Sequence, residues 1–241
     1  MSIGITTNIA NLEALESRQA VVANNLANTS VPGFQKALFS ISAARIPDRG
    51  SDIVQGFLPT GAIERSLQQG AIKVTGNPGD FAIHGNGFFQ LKGPANQNLY
   101  TRNGEFHLNE ANQLVNSDNL PVQGEGGPIT VDPNLGELAV AVDGTVSQDG
   151  QQIAKLAIYE FENIDALKTY KGTTFQDTDE ESRPRIIETP TVYQGQIEAS
   201  NVSPMKEMIS MIEITRAYEL AQKMLQQSDE LTEKTIQAVN S

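Results

Sequence analysis

The chain of 241 residues contains no cysteine. Disulfides, thiolate metal sites and a cysteine nucleophile are therefore excluded. Tryptophan is absent too, and there are only two histidines, His84 and His107. Both fall in strand-like or turn-like stretches. With no Gly-x-Ser-x-Gly elbow to accompany them, a serine–histidine centre has nothing to build on. Two separated histidines without cysteine are equally poor material for zinc, which needs three or four ligands. No apolar run approaches the roughly 20 residues that span a bilayer. The N-terminus lacks a basic segment followed by a compact apolar one, so an ordinary cleaved signal peptide is not expected. Basic residues are also scarce: 17 against 29 acidic, a net charge of −12. A general nucleic-acid binder needs a basic face to displace counterions, and an anionic membrane surface would repel this chain.

Apolar residues repeat at steps of three and four at both ends of the chain. Near the start they are Ile5, Leu12, Leu15, Val22 and Leu26, with Ile9 and Ala23 widening the stripe. Near the end they are Met211, Ile214, Tyr218, Ala221 and Leu225, beside a second stripe of Ala217, Leu220, Met224 and Leu231. The spacing predicts a helix over residues 2–28, stopped by Asn28-Thr29-Ser30-Val31-Pro32-Gly33, where proline removes a donor and glycine permits positive φ. A second helix starts at Ser203-Pro204, a good cap followed by a residue suited to the first helical position. No proline or glycine interrupts it before the end. About 36 residues at ~1.5 Å each make a rod of about 54 Å. Its apolar face is broad enough for more than one partner helix.

Between the helices the pattern changes. From Gln35 to about Thr75 periodicity is weak and Pro47, Gly50, Gly56, Pro59, Gly61 and Gly70 punctuate the chain, which reads as an extended linker or arm. Short strands are predicted at 81–84, 87–91, 99–102, 105–108, 113–115, 129–131, 137–142, 145–147 and 153–159, a short helix at 163–170 and a last strand at 192–199. Asn103-Gly104, Asp143-Gly144 and Asp149-Gly150 read as hairpin turns of type I′. The expected fold class is α+β, with long N- and C-terminal helices pairing in a coiled-coil-like layer and an antiparallel β-rich middle. The expected division is residues 1–33 as the first helix, 34–75 as linker, 76–199 as β domain and 200–241 as the second helix. Glycine clusters such as Gly85-Asn86-Gly87 and Gly124-Glu125-Gly126-Gly127 lack the Lys-Ser/Thr of a phosphate loop and read as turns. The acidic run Asp179-Glu180-Glu181 reads as solvated surface.

Four blocks in order then carry a resemblance. Ala23-Asn24-Asn25-Leu26-Ala27-Asn28 followed by Pro32-Gly33-Phe34-Gln35-Lys36 resembles the N-terminal signature of bacterial flagellar rod and hook proteins. The run from Gly79 to Gln90, the run from Tyr100 to Phe106 with Asn112-Gln113-Leu114-Val115, and the C-terminal run through Gln194-Gly195, Glu198, Ser200-Asn201-Val202, Met208 and Arg216-Ala217-Tyr218-Glu219 resemble its other motifs. Pro32, the stretch from Gly124 to Val131 and the short segment from Gln35 to Gly70 look most like the proximal-rod (FlgF-type) branch, with a distal-rod (FlgG-type) or low-copy junction protein as alternatives. The resemblance implies a structural axial subunit, not an enzyme, without cofactor or metal. It would stack helically into a periplasm-spanning rod of the basal body that carries torque to the hook. Its partners would be itself, other axial proteins and the flagellar type III export apparatus; nucleic acid and membrane insertion are not implied. Export would proceed without a cleaved signal peptide. The expected assembly interface comprises Ile5, Leu12, Leu15, Val22, Asn25, Leu26, Asn28, Gly33, Phe34, Met211, Ile214, Tyr218, Ala221 and Leu225. Isolated helices are marginal without packing, so both ends are expected to be mobile until neighbours cover them.

Overall fold

A computed structural model describes residues 2–45, 57–66, 68–163, 167–177 and 183–239. The fold is α+β: a helix at each end and a β-rich middle. By contacts the chain forms two compact units. One holds residues 1–27, 37–64 and 203–241; the other holds 28–36 and 65–202.

In the helical unit, α1 (Ser2–Ala27) and α2 (Pro204–Val239) pack on each other. The first helical hydrogen bond of α2 runs from the Glu207 amide to the Ser203 carbonyl at 3.1 Å, with Pro204 where a missing amide costs nothing. Two strands complete the unit, β1 (Ala37–Arg45) paired with β2 (Phe57–Arg65). The apolar pieces 37–41 and 57–58, expected in an extended arm, fall in these strands. Residues 53–56 of the same arm lie outside the described residues.

The β unit is built from β3 (Ile72–Val74), β4 (Phe81–His84), β5 (Phe88–Lys92), β6 (Asn98–Thr101), β7 (His107–Leu108), β8 (Leu114–Val115), β9 (Gln123–Gly124), β10 (Gly127–Pro128), β11 (Leu138–Val140), β12 (Thr145–Gln148), β13 (Gln151–Lys155), β14 (Ile158–Phe161), β15 (Leu167–Lys171), β16 (Thr174–Asp177), β17 (Pro184–Ile186), β18 (Thr191–Gln194) and β19 (Gln196–Glu198). Its largest sheet has the order β15-β16-β6-β5-β14-β17, with antiparallel neighbours throughout. β18 pairs with β4 and β19 with β3, so the last strands of the unit close on its first. Phe81, Phe89, Leu91, Leu114, Ile129, Leu156 and Ile158 form the main core. A second cluster joins Phe88, Tyr100, Phe161, Leu167 and Phe175, its rings meeting edge to face.

Several local expectations change. Leu167 to Tyr170 is strand β15, not helix: its apolar residues are too few to form a helical stripe, and pairing with β16 satisfies its backbone. The predicted strand at 129–131 is reduced to an isolated bridge between Gln113 and Thr130. Gly195, at φ 71°, divides the expected strand 192–199 into β18 and β19. Of the three glycine turns, Asp149-Gly150 has both residues at positive φ and joins β12 to β13 as a two-residue hairpin. In Asp143-Gly144 only the glycine has positive φ, and the Asp143 carboxylate accepts the Thr145 amide instead. Asn103-Gly104 is no hairpin. A Cβ on Gly104 would lie 1.7 Å from the Phe81 carbonyl, so this glycine serves close backbone approach rather than a positive φ.

Asparagine builds two copies of one turn. The side-chain oxygen of Asn109 accepts the amides of Ala111 and Gln113, and Asn112 sits at φ 56°. Asn116 does the same with Asp118 and Leu120, and Asn119 sits at φ 60°. Asparagine tolerates the left-handed region and bonds its own backbone, which explains its abundance where β strands are short.

Burial of the Tyr100 phenol, with Tyr159 and Asp177 nearby, pushes its pKa up to about 12. The raised value means that the neutral form is favoured in the fold. Stability from this group is complete below the ordinary tyrosine pKa of about 10 and is lost as pH rises to about 12. Spectrophotometric titration should find one tyrosine ionising late in the folded chain. Tyr100→Phe should remove that late step and flatten the alkaline loss of stability; an unchanged titration curve would assign it elsewhere.

Candidate assembly interface

Positions 207, 211, 214, 218, 221 and 225 of α2 alternate at steps of four and three, and all are buried or half-buried. Ile214 and Ala221 are among the most enclosed. On α1, Val22 and Asn25 are buried, whereas Leu12, Leu15 and Leu26 are half-buried. The Ile5 side chain lies outside the described residues. Thus the predicted helical set lines the covered faces of α1 and α2 within one chain. Two polar contacts give the pair its antiparallel direction. Asn25 Nδ2 donates to Glu207 Oε2 at 3.2 Å, and the Tyr218 hydroxyl donates to Glu16 Oε1 at 3.0 Å.

Asn25 does more than cap a helix end. Its amide nitrogen also donates to the Ala37 carbonyl at 2.8 Å, and its oxygen accepts the Ala37 amide at 2.9 Å. One side chain therefore holds both backbone polar groups of Ala37, the first residue of β1. Asn25 is 1% exposed and Glu207 2%. Burying such groups is tolerable only because they are hydrogen-bonded.

The remaining predicted residues, Asn28, Gly33 and Phe34, belong to the β unit. Gly33 has φ 66°, its amide donates to the Glu198 carbonyl at 2.8 Å, and a Cβ there would lie 2.2 Å from the Asn103 nitrogen. Only glycine fits both the conformation and the space. Phe34 is buried, and its carbonyl accepts the Asn201 amide at 3.3 Å.

This segment meets an anchor that the sequence did not single out. The Glu198 carboxylate is buried and pairs with Arg102 at 2.8 Å. It also accepts Gln35 Nε2 and the Gly70 amide, each at 3.1 Å. Arg102 donates its other nitrogen to the Gly85 carbonyl at 2.8 Å and lies over the Phe88 ring. Beside it, Asn201 accepts the Lys36 amide at 2.7 Å and donates to Gln35 and to the carbonyls of Ser66 and Gln68. Arg102 and Glu198 stand inside the family-like motifs, but 96 positions separate them. No local spacing signals their pairing.

The opposite face of α2 is apolar and bare. Met205, Met208, Ile209, Ile212, Leu220 and Met224 are 43–65% exposed. The sequence pattern picked out Leu220 and Met224 as a second stripe. It missed the four residues before them, whose polar neighbours Lys206, Glu207 and Glu213 broke the simple reading. His84 and His107 are exposed, and among the described residues no cluster of three or more histidine and carboxylate side chains is placed to hold a metal. Among those residues no helix is long and apolar enough to cross a membrane. The Asp179-Glu180-Glu181 run lies outside the described residues.

Replacing Glu198 by Ala strands the Arg102 guanidinium in a buried site. It should destabilise the β unit by about 3–5 kcal/mol. Chemical denaturation measures this, and Arg102→Met added to the same chain should recover part of the loss. A cost below about 1 kcal/mol, the worth of an exposed pair, would show that the anchor carries no such role.

Comparison with known proteins places these features in a family. Residues 12–35 match the model described as flagella basal body rod protein, residues 82–148 the flagellar hook protein FlgE/F/G D1 domain, and residues 193–238 the flagellar basal body rod FlgEFG protein C-terminal. The chain is 32% identical over 222 residues to the flagellar basal-body rod protein FlgF of Caulobacter vibrioides, covering 90% of this chain and 89% of that protein. It is 30% identical over 241 residues to FlgF of Rhizobium meliloti, covering 99% and 98%. It is 31% identical over 251 residues to the flagellar basal-body rod protein FlgG of Buchnera aphidicola from Acyrthosiphon pisum, covering 94% and 95%.

Proposed function

Because the chain belongs to the flagellar basal-body rod protein family, whose members are structural and not enzymes, we propose that it is an axial subunit of the basal-body rod, stacking helically with copies of itself and with other axial proteins to carry torque. The observation that carries this reading is the bare apolar face of α2. Each apolar side chain of that face, once fully buried, contributes about 1.5–3 kcal/mol. Repetition along a helical stack multiplies the gain. In the assembled rod, α1 and α2 form a coiled-coil-like helical layer. The helical ends keep β1 and β2 with them, while residues 28–36 and 65–202 act as a separate domain. Passage to the rod runs through the flagellar type III export apparatus.

Within the rod, the short segment from Gln35 to Gly70 and Pro32 before Gly33 favour a proximal, FlgF-type position. The FlgG relatives match with nearly the same identity, which supports a distal position as the second reading. Counting copies in isolated basal bodies separates a repeating subunit from a junction protein.

Two measurements test the proposal. Met208→Asp with Ile212→Asp alters only exposed positions, so melting should barely change, yet assembly and swimming should be lost. Leu26→Asp or Leu225→Asp, in the covered seam, should block assembly and also loosen the helical pair while leaving the β unit folded. Retained swimming in the first variant removes the α2 face from the interface. In the free chain, α1 and α2 amides should exchange faster than those of β4 to β6, because two helices bury little on their own. Equal protection of both units in a verified monomer would contradict the need for neighbours.

A further inference from the structure

The outward faces of the two helices differ in a complementary way. Resting on the rod-subunit reading above, we infer that the bare face of α2 receives the outward face of α1 from a second copy, in the same antiparallel register that α1 and α2 keep within one chain.

The outward line of α1 is Ile9, Glu13, Glu16, Ala20, Ala23 and Ala27, spaced at alternating steps of four and three, and every member is exposed. Its second half is small and its first half acidic. The outward face of α2 is the reverse: bulky Met205, Met208, Ile209 and Ile212 first, then Arg216, Leu220, Lys223 and Met224, all exposed. The internal register is set by Asn25 against Glu207. If a second α1 keeps it, Ala27, Ala23 and Ala20 come opposite Met205, Ile209 and Ile212. Glu16, whose carboxylate also accepts the Tyr218 hydroxyl of its own chain, comes opposite Arg216, and Ile9 meets Lys223 and Met224. Large side chains then enter the spaces above alanines, as knobs enter holes. An acidic residue meets a basic one at the transition. Glu13 comes opposite Glu219 and Leu220, a like-charge pairing at the exposed end of the contact.

An isologous contact of two α2 faces lacks this fit. It would set bulky residues against bulky residues, with no row of alanines to receive them. The α1-to-α2 contact is heterologous, so it leaves a free α2 face at one end and a free α1 face at the other. Repeated, it makes an open helical stack rather than a closed dimer.

The absence of cysteine makes the contact easy to probe. Two full-length variants, Ala20→Cys and Ile212→Cys, are concentrated under oxidising conditions, singly and mixed, with circular dichroism confirming the fold of each. Disulfide-linked dimers containing one of each variant, formed only in the mixture, are expected. The double variant should give a ladder of covalent oligomers. Dimers formed by Ile212→Cys alone would establish an α2-to-α2 contact and overturn the inference. Association seen by light scattering with no cross-link in any sample would overturn the inference while leaving the rod reading in place. A chain that stays monomeric at every concentration would overturn both.

Discussion

One neighbour can cover one side of a helix. α2 is apolar on two opposite sides, and α1 covers only the side that carries Ile214 and Ala221. The water left against Met205, Ile209 and Ile212 is a standing free-energy debt that no other described part of the helical unit removes. Hydrophobic surface of this extent on a monomer marks a contact site. The same constraint accounts for the fold's division of labour. The β unit has closed cores of its own around Phe81, Phe89 and Ile158 and around Phe88 and Tyr100, and it holds the central family-like runs from Gly79 to Gln90 and from Tyr100 to Phe106.

Buried polar side chains supply specificity in both units. Asn25 grips the backbone N–H and C=O of Ala37 and reaches Glu207. A purely apolar seam would hold α1 and α2 together with less control over their register, since oily surfaces slide at little cost. A single buried asparagine is a known means of fixing helix register. In the β unit, Glu198 and Asn201 gather Gly33 to Lys36, the segment from Ser66 to Gly70, and Arg102. Each group they bond is a backbone or side-chain donor or acceptor that burial would otherwise leave unmet, so the anchor works as a whole or not at all.

Short-range chemistry was the readable part of this chain. The step of three and four in both terminal stripes, Pro32-Gly33 after one helix and Ser203-Pro204 before the other all act over a few residues, and the helices run where those signals stand. Asp149-Gly150 made its hairpin because both residues tolerate positive φ. Asn103-Gly104 did not, although its local chemistry is the same. Phe81 needs the space that a side chain on Gly104 would fill. Leu167 to Tyr170 became strand because β16 offered it a ladder.

The sequence alone thus determined the two terminal helices, the α+β class, the lack of any thiol, and the motifs that mark a rod-family protein. Each follows from composition or from forces between near neighbours in the chain. Tertiary structure decided which apolar stripe faces inward and which stays bare, and it joined Arg102 to Glu198 and Asn25 to Glu207. Those choices depend on side chains brought together from distant parts of the chain, whose mutual burial and hydrogen bonding have no expression in local spacing.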